Sequence, residues 1–446
     1  MMAFPISTAT PLVWSGPLPA ACDVVVVGGG IIGVMTAFHL AAHGLSVTVL
    51  EKGRIAGEQS SRNWGWIRQQ GRDPAELPIM VESLALWKSL AADLGEGLGF
   101  RQAGVTYLAR TAAEGAGFEA WLPHARAHGL DTRMLTRAAV ADMFGTSADW
   151  TAGLQTASDA RAEPWVAVPL LAAAAAARGV TLREGCAVRA LDLAAGRVAG
   201  VVTEAGRVAC DQVVVAAGAW SRLFLGRHGV HIPQLSVLAS VAATEPMAEI
   251  TPGAAADDRF AFRRRVDGGY SLAPGAAHDF LIGPDAFRSL TRYLPTLRKD
   301  IRSTSFRAAA PAGFPDGWGT PRTWAEDRPS PFEAVRVLNP APNMATVRRF
   351  VADFARTFPG LGPPRLRCAW AGMIDTLPDV VPVVDRASLP GLVIATGMSG
   401  HGFGIGPGMG RVVADLVAGR PTGHDLGRFR LQRFFDGTKI APGPSL

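Results

Sequence analysis

The segment "CDVVVVGGGIIGVMTAFHLAAHGLSVTVLEKG" near the start of the chain limits its fold more than any other. Val24 to Val27 is a run of β-branched residues, suited to a strand buried on both faces of a parallel sheet. Gly28, Gly30 and Gly33 follow with the spacing GxGxxG. The pattern predicts a helix over residues 31–42, closed by Gly44, and a second strand in "LSVTVL" that Glu51 ends. Gly28 permits the tight turn, Gly30 lets backbone approach a pyrophosphate, and Gly33 lets helix and strand pack closely. The helix N-terminus, with Ile31 and Ile32, offers N–H groups and a positive dipole end to phosphates. Glu51, followed by Lys52, suits a ribose diol. Strand, glycines, helix, strand and acid in this order predict a Rossmann-like α/β domain that binds a dinucleotide.

The chain has 446 residues, more than a single core usually serves, so two domains are expected. With 48% hydrophobic and 18% charged residues it reads as globular rather than disordered. The net charge of +6 comes from dispersed arginines such as Arg54, Arg62, Arg183 and Arg222, with one tight cluster at Arg263, Arg264 and Arg265. A nucleic-acid binder concentrates charge on one element, so an anionic substrate or cofactor is the better expectation. Cys22, Cys186, Cys210 and Cys368 form no CxxC pair, so neither a metal site nor a dithiol centre is expected. The N-terminal segment lacks a basic, then apolar, leader pattern, and no stretch has the length of a membrane span. An N-terminal arm and a cytoplasmic location follow as expectations.

Periodicity predicts a helix over 78–94 with Leu84, Trp87 and Leu90 on one face, and a strand in "GVTYLAR". A helix with Pro164 near its start, two short strands, a meander and a buried strand over 212–216 follow. "AFRRRVDGGYSLAPG" is a hairpin signal turning at Asp267, Gly268 and Gly269. Near the end, "GLVIATGMSGHGFGIGPGMGRVVADLVAG" returns to strand, glycine loop and helix, with Pro407 placed to open the helix. Its seven glycines suggest close backbone approach to a ligand. No second GxGxxG stands in a strand–helix context, which argues against an enzyme holding two nucleotides.

As a set, these motifs resemble the D-amino acid oxidase (DAO) superfamily of flavoenzymes, which includes sarcosine oxidase, glycine oxidase and bacterial amino acid and amine dehydrogenases. The resemblance rests on Gly28, Gly30, Gly33 and Glu51, on "QSSRN" at 59–63, on "VVVAAGAWS" at 213–221 and on "GMSGHGFGIGPGMG" at 397–410. It implies FAD and a glutathione reductase/DAO-type two-domain fold, with a six- to eight-stranded antiparallel sheet over the flavin. The expected FAD-binding domain is assembled from 20–85, 152–230 and 365–446, and the substrate domain from 86–151 and 231–364. Carried over, Ser60, Ser61 and Asn63 meet the cofactor's pyrophosphate and ribityl chain, and Val188 meets adenine. Ala217, Gly218 and Trp220 line its path. Gly400, His401, Gly402, Phe403 and Gly404 face the isoalloxazine, where a helix N-terminus favours the negative charge of reduced flavin.

The implied reaction moves a hydride from the carbon beside nitrogen to flavin, giving an imine that hydrolyses to a keto acid or aldehyde plus ammonia or amine. Trp64 and Trp66 would wall a broad apolar pocket, and Gly65 would admit backbone close to the flavin. Arg68 is the candidate ligand for a substrate carboxylate, its fork being bidentate; stacking on Trp64 or Trp66 is the other reading. Tyr270 reaches substrate from the sheet or packs inside it, and His401 is the third candidate catalytic residue. Among Arg263–Arg265 at least one faces solvent, and one could serve an acidic group. His278 and Asp279 carry no specific signal. Sarcosine oxidases carry a lysine where Gly404 stands, so a roomier pocket is expected. Cys368 is placed for a covalent flavin link in some relatives, but a small buried thiol is the preferred reading. Oxidation of a 2-hydroxy acid or polyol phosphate, and a flavin-binding subunit without activity, are the alternatives. The electron acceptor is oxygen or a carrier.

Overall fold

The computed structural model describes residues 5–443 except 147 and 302. Its first sheet has six strands, in the order 383–386, 392–396, 212–215, 24–27, 47–50 and 181–183. Val24–Val27 is central, pairing in parallel with Gln212–Val215 on one side and Val47–Leu50 on the other. All four valines are buried, as a strand covered on both faces requires. Only the edge strand Val383–Arg386 runs antiparallel.

The first helix, Ile31–Ala42, is apolar nearly all round because helices Gly402–Val417 and Pro164–Ala177 both pack on it. A Cβ on Gly33 would lie 2.0 Å from the Gly28 carbonyl oxygen, so the third glycine holds helix and strand together. Helix Leu77–Leu94 buries Leu84, Trp87 and Leu90 as the periodicity predicts. The antiparallel meander Val188–Ala194, Arg197–Thr203 and Gly206–Ala209 flanks the first sheet.

The second sheet is larger than expected, with ten strands and two parallel pairings. Leu235–Thr244 is long enough to pair with Leu366–Thr376 on one edge and with both His278–Leu281 and Tyr270–Pro274 on the other. Strands Ala152–Thr156 and Leu366–Thr376 belong to this sheet, although boundaries at 152 and 365 place them with the nucleotide domain. Backbone pairing decides membership, and composition carries no record of the partner.

The hairpin Phe260–Arg264 and Tyr270–Pro274 forms where its turn residues predict. Its arginines depart from the expected solvated face. Arg263 is buried in a two-bond pair with Glu163 at 2.8 and 3.0 Å. Arg265 is buried against Asp267, the Tyr270 carbonyl and the Thr244 carbonyl. Arg264 donates to the Met247 carbonyl. The N-terminal arm is held by charged groups too: Arg62, itself buried, donates to Ile6 O, Ala371 O and Asn339 Oδ1. Among the described residues, no helix is long and apolar enough to cross a membrane.

Candidate active site

A single elongated cavity of about 530 Å³ runs from the carboxyl ends of the parallel strands to the second sheet. At its nucleotide end the backbone turns at Gly28, where φ is +112° and a Cβ would meet Ala216 O at 2.5 Å. Gly30 is the N-cap of the first helix and brings no capping side chain. Ser60, from the short helix Gln59–Arg62, takes the Ile31 N–H at 2.9 Å. Glu51 accepts from Gly29 N at 2.8 Å and Gly53 N at 2.7 Å. Burial pushes its carboxyl up to about 7.

Beside it, Lys52 Nζ donates to Glu58 Oε1 at 2.7 Å and lies 4.4 Å over the Trp220 ring. The Trp220 indole N–H also reaches Glu58, at 3.1 Å. Val188, Ala217 and Gly218 complete this half of the lining. Further along, buried Asp375 accepts from Gly397 N at 2.8 Å and Gln234 Nε2 at 3.0 Å, while Gln59 Oε1 takes the Asp375 N–H. These groups fix the turn into the glycine loop. Glu58, Gln59, Gln234 and Asp375 were missed in the sequence, where the only signal was an acid inside the apolar run "WAGMID".

The other half is walled by Trp64, Trp66, Tyr107, Phe118, Val241 and Ile374. Trp64 and Trp66 meet edge to face at 5.2 Å. Arg68 lines this half, donates to the Gln70 carbonyl and lies 5.6 Å over the Tyr107 ring. Arg72, also unforeseen, is fully buried and pairs with Glu76 at 2.9 Å. It donates to Arg68 O at 3.2 Å and to His401 O at 2.9 Å, tying the arginine segment to the glycine loop. Buried Asp159 accepts from Gln69 N at 2.7 Å and braces the same segment. Burial, then Arg72 and Arg68, hold the His401 imidazole well below its ordinary range. Its Nδ1 has no hydrogen-bond partner among the described residues.

Several expected site residues lie elsewhere. Gly33 and Ser61 are outside the lining; Ser61 is buried and its hydroxyl points back to Glu58 O. Gly65 approaches the Ala162 carbonyl and the Arg263 guanidinium, not the cavity. Tyr270 is fully buried in the aromatic core under helix Met344–Thr357, and its hydroxyl accepts the Ile250 N–H at 2.7 Å. Cys368 pairs opposite Ala243 outside the cavity, which leaves it no path to a covalent link there. His278 and Asp279 sit on an edge strand away from the cavity.

The last glycine segment also differs. The helix begins at Gly402 with His401 as N-cap, so Pro407 lies inside it. Gly400, His401, Gly402, Phe403 and Gly404 do line the cavity. Cβ atoms on Gly406 and Gly410 would instead strike Ile31 and Met35, and one on Gly408 would strike Ile79 O at 2.6 Å. At Gly404 any side chain would meet Ile67 Cα at 3.0 Å, so a lysine has no room there.

This geometry agrees with what known proteins share with the chain. The family model described as "FAD dependent oxidoreductase" (DAO) matches residues 23–416. Sarcosine oxidase subunit beta of Rhizobium meliloti (strain 1021) is 26% identical over 436 residues, covering 96% of this chain and 92% of that protein. Glycine oxidase of Pseudomonas putida is 28% identical over 341 residues, 72% of this chain and 86% of that one. The structure of L-amino acid deaminase from Proteus myxofaciens in complex with anthranilate superposes with a TM-score of 0.90 at 29% identity, covering 97% and 98% of the two chains. With its nucleotide cradle, second sheet and glycine loop meeting at one cavity, the chain belongs to the DAO family of FAD-dependent oxidoreductases.

Proposed function

We infer that this enzyme oxidises the C–N bond of an α-amino acid with a large apolar or aromatic side chain, yielding an imine that hydrolyses to a keto acid and ammonia. The residues present fit FAD. The cavity is long and continuous, glycine backbone lies bare at both ends, and the first helix presents an N-terminus without a capping side chain of its own. Gly28, Gly30, Ile31, Ile32 and Ser60 would hold the pyrophosphate, and Glu51 the ribose. Lys52, Val188 and Trp220 would flank adenine. Asn63, Ala217 and Gly218 would follow the ribityl chain, and residues 400–404 the ring. When bound, FAD supplies the two-electron acceptor for the C–H bond next to nitrogen.

The observation that carries the substrate reading is Arg68 in the same cavity as the glycine loop, among aromatic walls. Its guanidinium takes the carboxylate, while Arg72 and Asp159 hold its backbone in place. Trp64, Trp66, Tyr107 and Phe118 take the side chain and exclude water. His401 acts as a neutral wall, because charging it beside two buried arginines is unfavourable. The same positive surroundings favour the neutral form of the substrate amine, so no strong base is needed. A reducing, cytoplasmic location belongs to this reading, since Cys22, Cys186, Cys210 and Cys368 are free thiols. The acceptor that reoxidises the flavin is oxygen or an electron carrier.

The test is anaerobic mixing of holoenzyme with amino acids and with matched 2-hydroxy acids. Bleaching of the flavin with ammonia release by bulky amino acids is expected. Arg68→Ala should raise KM by at least about tenfold with FAD still bound. Absence of bleaching by any amino acid, or an unchanged KM, would remove the reading.

A further inference from the structure

Helix Gly402–Val417 reaches the cavity with its N-terminal turn, yet its own hydrogen-bond ladder does not secure that turn. Pro407 has no N–H to offer the Phe403 carbonyl. One residue on, the pair Gly404 O and Gly408 N is bridged from outside. Ser83 Oγ donates to Gly404 O at 2.8 Å and accepts from Gly408 N at 3.1 Å. Trp87, one turn further along helix Leu77–Leu94, donates its indole N–H to the same Gly404 oxygen at 2.9 Å. Its ring lies 5.2 Å from the Phe403 ring. Ser83 and Trp87 are both fully buried in an otherwise apolar interface. Gly408 makes the approach possible, since a Cβ there would stand 2.9 Å from Ser83 Cβ.

We propose that Ser83 and Trp87 are positioning residues that aim and polarise the N-terminal turn of helix Gly402–Val417, and thereby raise the electron affinity of the bound FAD. Two donors on the Gly404 carbonyl polarise the peptide group that carries the Ile405 N–H, in a region of low dielectric. They also hold Gly402, Phe403 and Gly404 against the cavity, where a helix N-terminus stabilises negative charge. Neither side chain lines the cavity, so both act through the helix. A residue concerned only with packing needs no hydroxyl or indole N–H here; methyl and phenyl groups would fill the same space.

The experiment compares Ser83→Ala, Ser83→Thr and Trp87→Phe with wild-type holoenzyme. Flavin midpoint potential is read by equilibration with a reference dye, and Tm is read alongside. Leu84→Ala serves as a packing control, because it opens the same helix interface without touching either bond. Ser83→Ala and Trp87→Phe should each shift the oxidised-to-reduced flavin ratio about tenfold toward oxidised at a fixed dye poise, or ~30 mV for two electrons. Ser83→Thr should restore the wild-type ratio, and Leu84→Ala should lower Tm without moving it. Trp87→Phe keeps the ring against Phe403, so it carries the test if Ser83→Ala yields no holoenzyme. Wild-type potentials in both deletion variants, or an equal shift in Leu84→Ala, would overturn the proposal.

Discussion

The chain has two glycine-rich segments facing one cavity, and they use glycine for different reasons. In the first, residues 28–33, each glycine has a separate task within one turn: Gly28 turns, Gly30 lies open to the cavity, and Gly33 meets a backbone oxygen. In the second, residues 397–410, glycine recurs at nearly every other position through a loop and into a helix. There the early glycines face the cavity, while Gly406, Gly408 and Gly410 let the helix lie between two neighbouring helices. A glycine count signals close approach but does not name what approaches. Only a fixed spacing tied to strand and helix, as in GxGxxG, narrows the answer to a ligand.

The strongest attempt to break this comparison is Gly33→Ala. Its methyl would sit 2.0 Å from the Gly28 carbonyl oxygen, and backbone cannot swing aside as a side chain can. Loss of about 3 kcal/mol and failure to retain FAD through gel filtration are expected. Retention of cofactor with wild-type Tm would separate Gly33 from the cradle.

The acid that closes the first segment gives a pH test on apo-protein. Burial raises Glu51 from 4.5 to about 7, so between those values the folded state holds a proton that the unfolded chain has released. Its contribution is therefore complete below about pH 4.5 and is lost as pH rises through about 7, amounting to ~3 kcal/mol. Urea midpoints measured across this window should fall for wild type and flatten for Glu51→Gln. Identical slopes would show that Glu51 ionises freely.

For the second segment, Gly410→Ala places a methyl 2.5 Å from Met35 Cβ and 2.6 Å from Met35 backbone. Overpacking outweighs the gain in helix propensity, for a net loss of ~1–2 kcal/mol. Tm should fall while the FAD dissociation constant stays within about twofold, because the change lies on the packed face. A large fall in FAD affinity would return Gly410 to the ligand-facing class.

What the sequence revealed follows the range of the forces involved. The first strand–helix–strand unit, the helix around Trp87 and the hairpin at Gly268 are local patterns, and they form where the periodicity and turn residues place them. Partners distant in sequence were not legible. Arg263 and Glu163, Arg62 and Ile6, and Asp375 and Gly397 meet only once both sheets are assembled. Hence arginines that read as dispersed surface charge proved to be buried ties, and the ten-strand sheet exceeded its expected size. Tyr270 illustrates the same limit: its neighbours in the chain fix its strand, but the aromatic cluster from helix Met344–Thr357 fixes what it touches.

The smallest effect expected is also the most discriminating. Gly400 has φ +82°, and a Cβ there would find only Ile374 side-chain atoms, 3.7 Å away. Gly400→Ala therefore meets no clash and carries only the cost of a left-handed backbone for an L-residue, about 1 kcal/mol. By stability alone it should be the mildest of the four substitutions. Its methyl, however, enters the lining that Gly400 and Ile374 share, where Gly410→Ala adds nothing. The expected result is a Tm close to wild type with kcat/KM reduced several-fold, the reverse of the Gly410→Ala outcome. Unchanged kinetics in Gly400→Ala would mean that neither cofactor nor substrate uses the space beside it, and the division of the second segment into a ligand-facing loop and a packing helix would fail at its first residue.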